Sequence, residues 1–484
     1  MAKYDRTSLK AEEFINHEEI LETLKYADEH KGDLAYIDQI LEAARPKKTA
    51  RGIECSGLSH RDASVLLACE DPGVTEKMYA VAREIKEAFY GNRIVMFAPL
   101  YLSNYCVNKC VYCPYHYQNR SIPRKKLTQE EVRQEVIALQ DMGHKRLAIE
   151  SGEDPVNNPI EYILECIRTI YSIKHKNGAS RRVNVNIAAT TVENYRKLHD
   201  TGIGTYILFQ ETYHKESYEK LHPAGPKHNY AYHTEAMDRA MEGGIDDVGL
   251  GVLFGLELYR YEFAGLLMHA EHLEAVHGVG PHTISVPRIK RADDIDPTVF
   301  DNGINDEIFA KIVAAIRISV PYTGLIISTR ESEACRNKVL GLGVSQISGG
   351  SRTSVGGYAG YAADERPHDT EQFDVSDQRS LDEVVKWLMD LGYIPSFCTA
   401  CYREGRTGDR FMSLCKTGQI QNCCHPNALM TLKEFLEDYA SPETKAVGEK
   451  LIAEELGRIP NEKVRAKAAE YIENIHLGKR DFRF

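Results

Sequence analysis

The chain has 484 residues, 43% hydrophobic and 27% charged, and carries a net charge of −11. That length can bury a large core over two or three domains. The acidic balance argues against broad nucleic-acid binding, and no run of about 18 apolar residues is present to cross a membrane. Residues 1–14 lack the apolar centre of a signal peptide, so a cytoplasmic location is expected. Twelve cysteines in a reducing compartment point to metal or redox work rather than to a disulfide framework. Basic runs such as Pro123-Arg124-Lys125-Lys126 read as solvated faces.

Taken in chain order, residues 1–92 carry apolar residues at three- and four-residue steps, the period of amphipathic helices, and are expected to form a helical extension. From 93 to 358, strand-like runs alternate with helical ones. The strand candidates are 94–102, 146–150, 182–188, 205–210, 247–253, 283–288, 324–328 and 344–348. Thr128 with Glu131, and Thr190 with Glu193, have the spacing of capping boxes, and Gly143, Gly178 and Gly202 sit where helices should stop. Eight strands in strict alternation with helices predict an α/β fold of the (β/α)₈ TIM-barrel type; a six-strand partial barrel is the alternative. Residues 359–379 are polar and read as a linker. Residues 380–484, opening on a Ser380/Glu383 cap, read as a mostly helical C-terminal domain, with helix again from Thr431 onward.

Cys106, Cys110 and Cys113 form a CxxxCxxC loop directly after the first strand, on the face where barrel active sites lie. Three thiolates leave one coordination position open, which suits a 4Fe–4S cluster with one iron free for a ligand. A zinc knob, or thiols simply buried in a core, are the plainer alternatives. Tyr112 can lay an aromatic face beside a purine. Ser151-Gly152-Glu153 ends the second strand with small residues that admit a ligand to the backbone. Gln210-Glu211 ends the fourth, where a carboxylate can take ribose hydroxyls. Arg330 ends the seventh strand and can clamp a carboxylate in a bidentate fork, with Ser348 and Ser351 adding hydrogen bonds; a surface salt bridge is the alternative.

Cys398 and Cys401 form a CxxC motif, followed by Cys423 and Cys424. A second iron–sulfur cluster is expected there; structural zinc, with Cys415 or His425 as further candidate ligands, is the alternative. Cys55, Cys69, Cys166 and Cys335 are isolated and read as packing residues. His282, at the start of the sixth strand, faces the opposite mouth of the barrel, where a following metal-bearing domain would give it a ligand role.

The cysteine loop with an aromatic before its last cysteine, and Ser151-Gly152-Glu153 as a variant of a Gly-Gly-Glu motif, resemble the radical S-adenosylmethionine (SAM) superfamily. In that family three thiolates hold a 4Fe–4S cluster and SAM chelates its fourth iron. The resemblance implies that Ser151, Gly152 and Glu153 hold the amino end of SAM, Glu211 with Gln210 its ribose, and Tyr112 its adenine. The two cysteine motifs, with GPHTISVPRI, LFQETYH, STRE and CYREGRTGDRFM, further resemble the tyrosine-cleaving maturases of FeFe-hydrogenase. That resemblance implies L-tyrosine as substrate, anchored by Arg330 and Ser348 and cleaved to p-cresol and dehydroglycine. It also implies a second 4Fe–4S cluster on Cys398, Cys401 and Cys424 with an extra iron held by His282, where CO and cyanide form. Other hydrogenase maturation proteins and a ferredoxin or flavodoxin would be the partners; nucleic acid and membrane would not. The related 2-iminoacetate synthases of thiamine biosynthesis share the barrel but lack the second cysteine set. A zinc-stabilised binding module without catalysis is the reading from another class.

Overall fold

The computed structural model describes residues 3–362 and 370–484. The N-terminal extension comprises α1 (His17–His30), α2 (Leu34–Ala44), α3 (His60–Ala68) and α4 (Pro72–Tyr90). Asn16, Asp33, Ser59 and Asp71 cap these helices by accepting backbone N–H groups in their first turns. A two-stranded hairpin, Lys47–Thr49 with Gly52–Glu54, falls between α2 and α3.

The expected barrel is present and closed. Its strands are β1 (Arg93–Ser103), β2 (Arg146–Ser151), β3 (Arg182–Asn186), β4 (Tyr206–Glu211), β5 (Val248–Val252), β6 (Thr283–Ser285), β7 (Gly324–Ile327) and β8 (Val344–Ser348). All pair in parallel with their sequence neighbours, and β8 returns to β1 with Ile347 opposite Met96, so the six-strand alternative is excluded. The strands are buried on both faces, the usual state of parallel sheets wrapped by helices. Among those helices, α5 (Gln129–Met142) starts at the expected Thr128/Glu131 capping box and stops at Gly143, whose φ of +100° is the left-handed region glycine tolerates.

Two local expectations are corrected. The cap of α6 (Val192–Asp200) is Thr191, accepting from Asn194 N, while Thr190 receives the Asn194 side chain. Adjacent threonines made the register ambiguous by one. Gly178 ends no helix: it lies in a small hairpin, Lys174–His175 with Gly178–Ala179, packed against Gln140.

On the barrel's outside, α7 (Tyr259–His277) faces the N-terminal extension. His60 of α3 bonds Glu19 of α1 at 3.0 Å and Glu271 of α7 at 2.8 Å. Of the stretch expected as a linker, residues 363–369 lie outside the described residues. Thr370, Phe373 and Asp377 are buried, and Asp377 pairs with Arg336 and Arg379.

Beyond it, α8 (Leu381–Asp390) opens on the expected Ser380/Glu383 capping box. An unforeseen strand follows: β9 (Ile394–Ser396) pairs in parallel with the first residues of β1, Ile394 opposite Arg93. This graft ties the C-terminal domain to the N-terminal end of the barrel. Its longest helices are α9 (Gln421–Asp438), α10 (Pro442–Gly457) and α11 (Glu462–His476). The first starts ten residues before the expected Thr431 and carries Pro426 in its interior.

Candidate active site

The loop after β1 is built before any ligand enters it. Arg124 donates to the carbonyls of Asn104 and Tyr115 (2.7 Å each), His116 (2.6 Å) and Asn119 (3.2 Å). Asn104 bridges to Pro123 and Lys125. Val107 N donates to Glu153 O, and the Asn108 amide to the Glu153 carboxylate at 2.6 Å. These bonds aim Cys106, Cys110 and Cys113 into one cavity at the C-terminal mouth of the barrel, together with Tyr112, Ser151, Gly152, Glu153, Glu211, Arg330 and Ser348. Gly152 is required there: a Cβ would collide with Tyr105 O and press on Cys106.

The three thiols fit a cluster better than a single ion. A tetrahedral zinc with bonds of about 2.3 Å draws its thiolates to within roughly 4 Å of one another. Among the described residues, the single set of three potential ligands within 4.8 Å is Asp306, Glu331 and Cys335. Arg288 lies between those two carboxylates and pairs with both, which accounts for them as an ion-pair network. The more widely spaced thiols of the loop suit a multi-iron centre in which each iron takes one thiolate.

Glu211 owes its position to a β-bulge. The β4–β5 register shifts between Phe209 and Glu211, and Glu211 takes a φ of +68°, costly for a residue with a Cβ. The shift turns its carboxylate into the cavity, where Lys227 Nζ donates to it at 2.7 Å. It also turns Gln210 away: that side chain donates to Thr234 at 2.9 Å and to Thr212 O, outside the cavity. Placing Gln210 with the ligand-facing residues is therefore corrected; the regular alternation of a strand does not survive the bulge. Tyr112 is fixed edge-on to His222, its hydroxyl donating to Nε2 at 2.7 Å, because His222 Nδ1–H is spent on Tyr218 O. Burial holds His222 neutral, with its pKa lowered to about 2.

Deeper in the barrel, the Arg330 guanidinium stacks 3.7 Å above the Phe373 ring and has no carboxylate partner among the described residues. The surface salt bridge considered for it is absent, since the neighbouring Glu331 is taken by Arg288. Ser348 Oγ accepts from Thr329 N at 3.2 Å, which leaves its O–H free to donate. Ser351, by contrast, is buried outside the cavity, with no hydrogen-bond partner for its hydroxyl among the described residues. Three lining residues carry no sequence signal. They are Lys227, Phe373 and Glu150, whose carboxyl is pushed up to about 8 by burial against the bond from Asn186. The cavity reaches down to Asn184 and Gln346, past small interior residues such as Ala148 and Ser285.

The second cysteine set lies at the opposite mouth, on the segment after β9 and on α9. Cys401 and Cys424 share a hydrogen bond, and Cys398 lies beside them. The Cys401 bond, helped by Arg93 and Arg406, pulls the Cys424 thiol down to about 6, whereas Cys401 is raised. The geometry thus groups Cys424, rather than Cys423, with the CxxC pair. Cys415 is buried nearby, and His425 turns to Glu455 instead. Arg146 donates to Cys398 O at 2.9 Å; Tyr402, next to Cys401, stacks on Arg182 and hydrogen-bonds Asp247. His282 reaches this belt from β6, its Nδ1 3.4 Å from Asp247 Oδ1 and without a hydrogen-bond partner. Burial lowers its pKa to about 4, the neutral state a ligating imidazole needs.

A closed parallel barrel with an open three-thiol loop on its first strand end defines a radical SAM enzyme. A family model described as the Radical SAM superfamily matches residues 100–265, and one described as the Biotin and Thiamin Synthesis associated domain matches 285–394. The chain is 30% identical to a 2-iminoacetate synthase of Escherichia coli (strain K12), covering 71% of this chain and 88% of that one. It superposes on a crystal structure of HydG, a maturase of the FeFe-hydrogenase, with a TM-score of 0.91 and 54% identity, covering 97% of this chain and 100% of the other. The HydG structure from Carboxydothermus hydrogenoformans gives 0.81 and 38%, covering 96% and 99%. The chain belongs to the HydG family of the radical SAM superfamily. It is an enzyme of that superfamily, working with a 4Fe–4S cluster and SAM, and no helix among the described residues is long and apolar enough to cross a membrane.

Proposed function

We propose that the chain is a tyrosine lyase that cleaves L-tyrosine to p-cresol and dehydroglycine and turns the latter into CO and cyanide on iron, for assembly of the FeFe-hydrogenase active site. The observation that carries this reading is Arg330, a partly buried guanidinium with no carboxylate partner among the described residues, in the same cavity as Cys106, Cys110 and Cys113. A cation partly withdrawn from water gains when a ligand supplies its counter-ion, and an amino-acid carboxylate matches its planar fork. Ser348 offers a further donor to the same carboxylate.

Cys106, Cys110 and Cys113 would hold the 4Fe–4S cluster, which would supply the electron for reductive cleavage of SAM. Around it, Glu211 would receive ribose hydroxyls, its carboxylate held in place by the 2.7 Å bond from Lys227. Ser151, Gly152 and Glu153 line the part of the cavity where the amino end of SAM would lie, and Tyr112 the part for its adenine. Phe373 closes under Arg330 and keeps water from the reacting carbon atoms. At the other mouth, Cys398, Cys401 and Cys424 would hold a second 4Fe–4S cluster and His282 an additional iron. Anaerobic reconstitution with tyrosine, SAM and dithionite tests the reading: p-cresol, CO and cyanide are expected, and p-cresol-free turnover of SAM would sink it.

The coverage of the 2-iminoacetate synthase supports a second reading, in which the reaction stops at the imine. Reconstituted enzyme that releases p-cresol and glyoxylate, the hydrolysis product of the imine, without CO or cyanide would favour it.

A further inference from the structure

We propose that the outer face of the cysteine loop is the docking surface for an acidic one-electron carrier protein. The inference rests on the reading that Cys106, Cys110 and Cys113 hold a cluster that must be reduced from outside.

The chain carries 71 acidic residues, yet none falls in 104–128, which contains the cysteines, or in 220–234, the segment to which that loop is bonded. Lys109 N donates to Ala224 O and Val111 N to Leu221 O, so the two segments form one continuous face. Part of its charge is left uncompensated: Lys125 pairs with Glu131, Lys220 with Glu216 and Lys227 with Glu211, but the other cations meet no acid at ion-pair distance among the described residues. Lys109 and Arg120 have no carboxylate partner among the described residues, Arg124 spends its guanidinium on four carbonyls, and Lys126 rests over the Tyr162 ring. Two further acids, Asp293 and Asp294, sit at the edge and are occupied by Asn119, Ser121 and His116. In a chain of net charge −11, this is a local positive field that attracts an acidic partner and repels most others.

The face also has the apolar centre of an interface. Val111 is 43% exposed and Tyr117 42%, and neither lines the cavity, so both look outward. Val111 stands between buried Cys110 and buried Tyr112, which puts the thiol one residue beneath the surface. A small apolar patch inside a charged rim suits a weak, rapidly exchanging contact of the kind electron carriers make. The step moves one electron from the reduced carrier to thiolate-held iron; the carrier is oxidised by that electron, and no bond forms or breaks. The basic run 123–126, which reads as a solvated face in the sequence, gains a partner through its place beside the cysteines.

The test uses the holoenzyme with Lys109→Glu and Arg120→Glu, singly and together, and follows methionine release from SAM. Reduced flavodoxin of net negative charge is the protein donor, and dithionite is the small one. The double variant is expected to lose at least about tenfold of its flavodoxin-driven rate at low salt, with the wild-type rate falling steeply as salt rises. Its iron content and dithionite-driven rate should stay at wild-type level. Equal flavodoxin-driven rates in wild type and double variant would overturn the docking surface. So would an equal loss with dithionite, because the charges would then act on the cluster itself. If the wild type cleaves no SAM with dithionite, the cluster reading fails instead, a separate result.

Discussion

Arg330 shows how one residue sets what the cavity accepts. Its guanidinium is partly withdrawn from water, stacked on Phe373, and in no ion pair among the described residues. Truncating one partner of a buried charge pair costs about 2–5 kcal/mol, which is at least roughly 30-fold in binding or turnover. Arg330→Ala is therefore expected to abolish most p-cresol formation while leaving iron content and the cluster's EPR signal intact. Arg330→Lys should recover only part of it, since an ammonium cannot form the fork. Normal p-cresol formation in the alanine variant would remove the clamp. Lys227 acts on a different group: it neutralises Glu211 from a loop sixteen residues downstream. Only the fold brings the two within 2.7 Å, so spacing in the sequence carries no trace of the pair.

At the scale of elements, the N-terminal extension is held by a histidine that behaves as a pH-dependent clasp. His60 joins α1, α3 and α7 through Glu19 and Glu271. Burial opposes its charge, but the two carboxylates outweigh it and raise its pKa to about 9. A raised pKa contributes stability that is fully present below the unfolded value near 6.5 and is lost as pH rises through 9. The contribution is on the order of 3 kcal/mol. Thermal unfolding should show the margin of wild type over His60→Gln shrinking between about pH 6.5 and 9.5; a constant margin would contradict the clasp. Elements of this kind were legible where the signal is local. The eight strands, the Thr128 and Ser380 caps and both cysteine motifs rest on hydrophobic period and short spacing, which neighbours in the chain determine. What depends on pairing partners was not legible. The bulge that exchanges Gln210 for Glu211 follows from register with β5. The graft of β9 onto β1 and the burial of Phe373 at the mouth arise only from tertiary packing.

At the scale of the whole molecule, one barrel separates two cysteine sets. The first opens on the C-terminal mouth, and its cavity descends to Asn184 and Gln346. Asn184 accepts from Arg182, and Arg182 stacks on Tyr402, which follows Cys401. A short polar belt thus connects the floor of one site with the wall of the other, where barrels more often have a packed apolar interior. If the two sites divide the chemistry, they must be separable by mutation. Replacing Cys398 and Cys401 together by serine removes two of the three thiols that would hold the proposed second cluster, and neither residue lines the upper cavity. The expected product pattern is p-cresol near the wild-type yield, with CO and cyanide strongly reduced and iron falling from about eight or more atoms per chain to about four. Loss of p-cresol as well would mean that the C-terminal domain stabilises the upper site through β9, so the dithionite-driven cleavage of SAM must be measured on the same sample. Unchanged CO and cyanide, with iron already halved, would place diatomic formation outside Cys398, Cys401 and Cys424 and leave the belt beneath Asn184 without a role in the reaction.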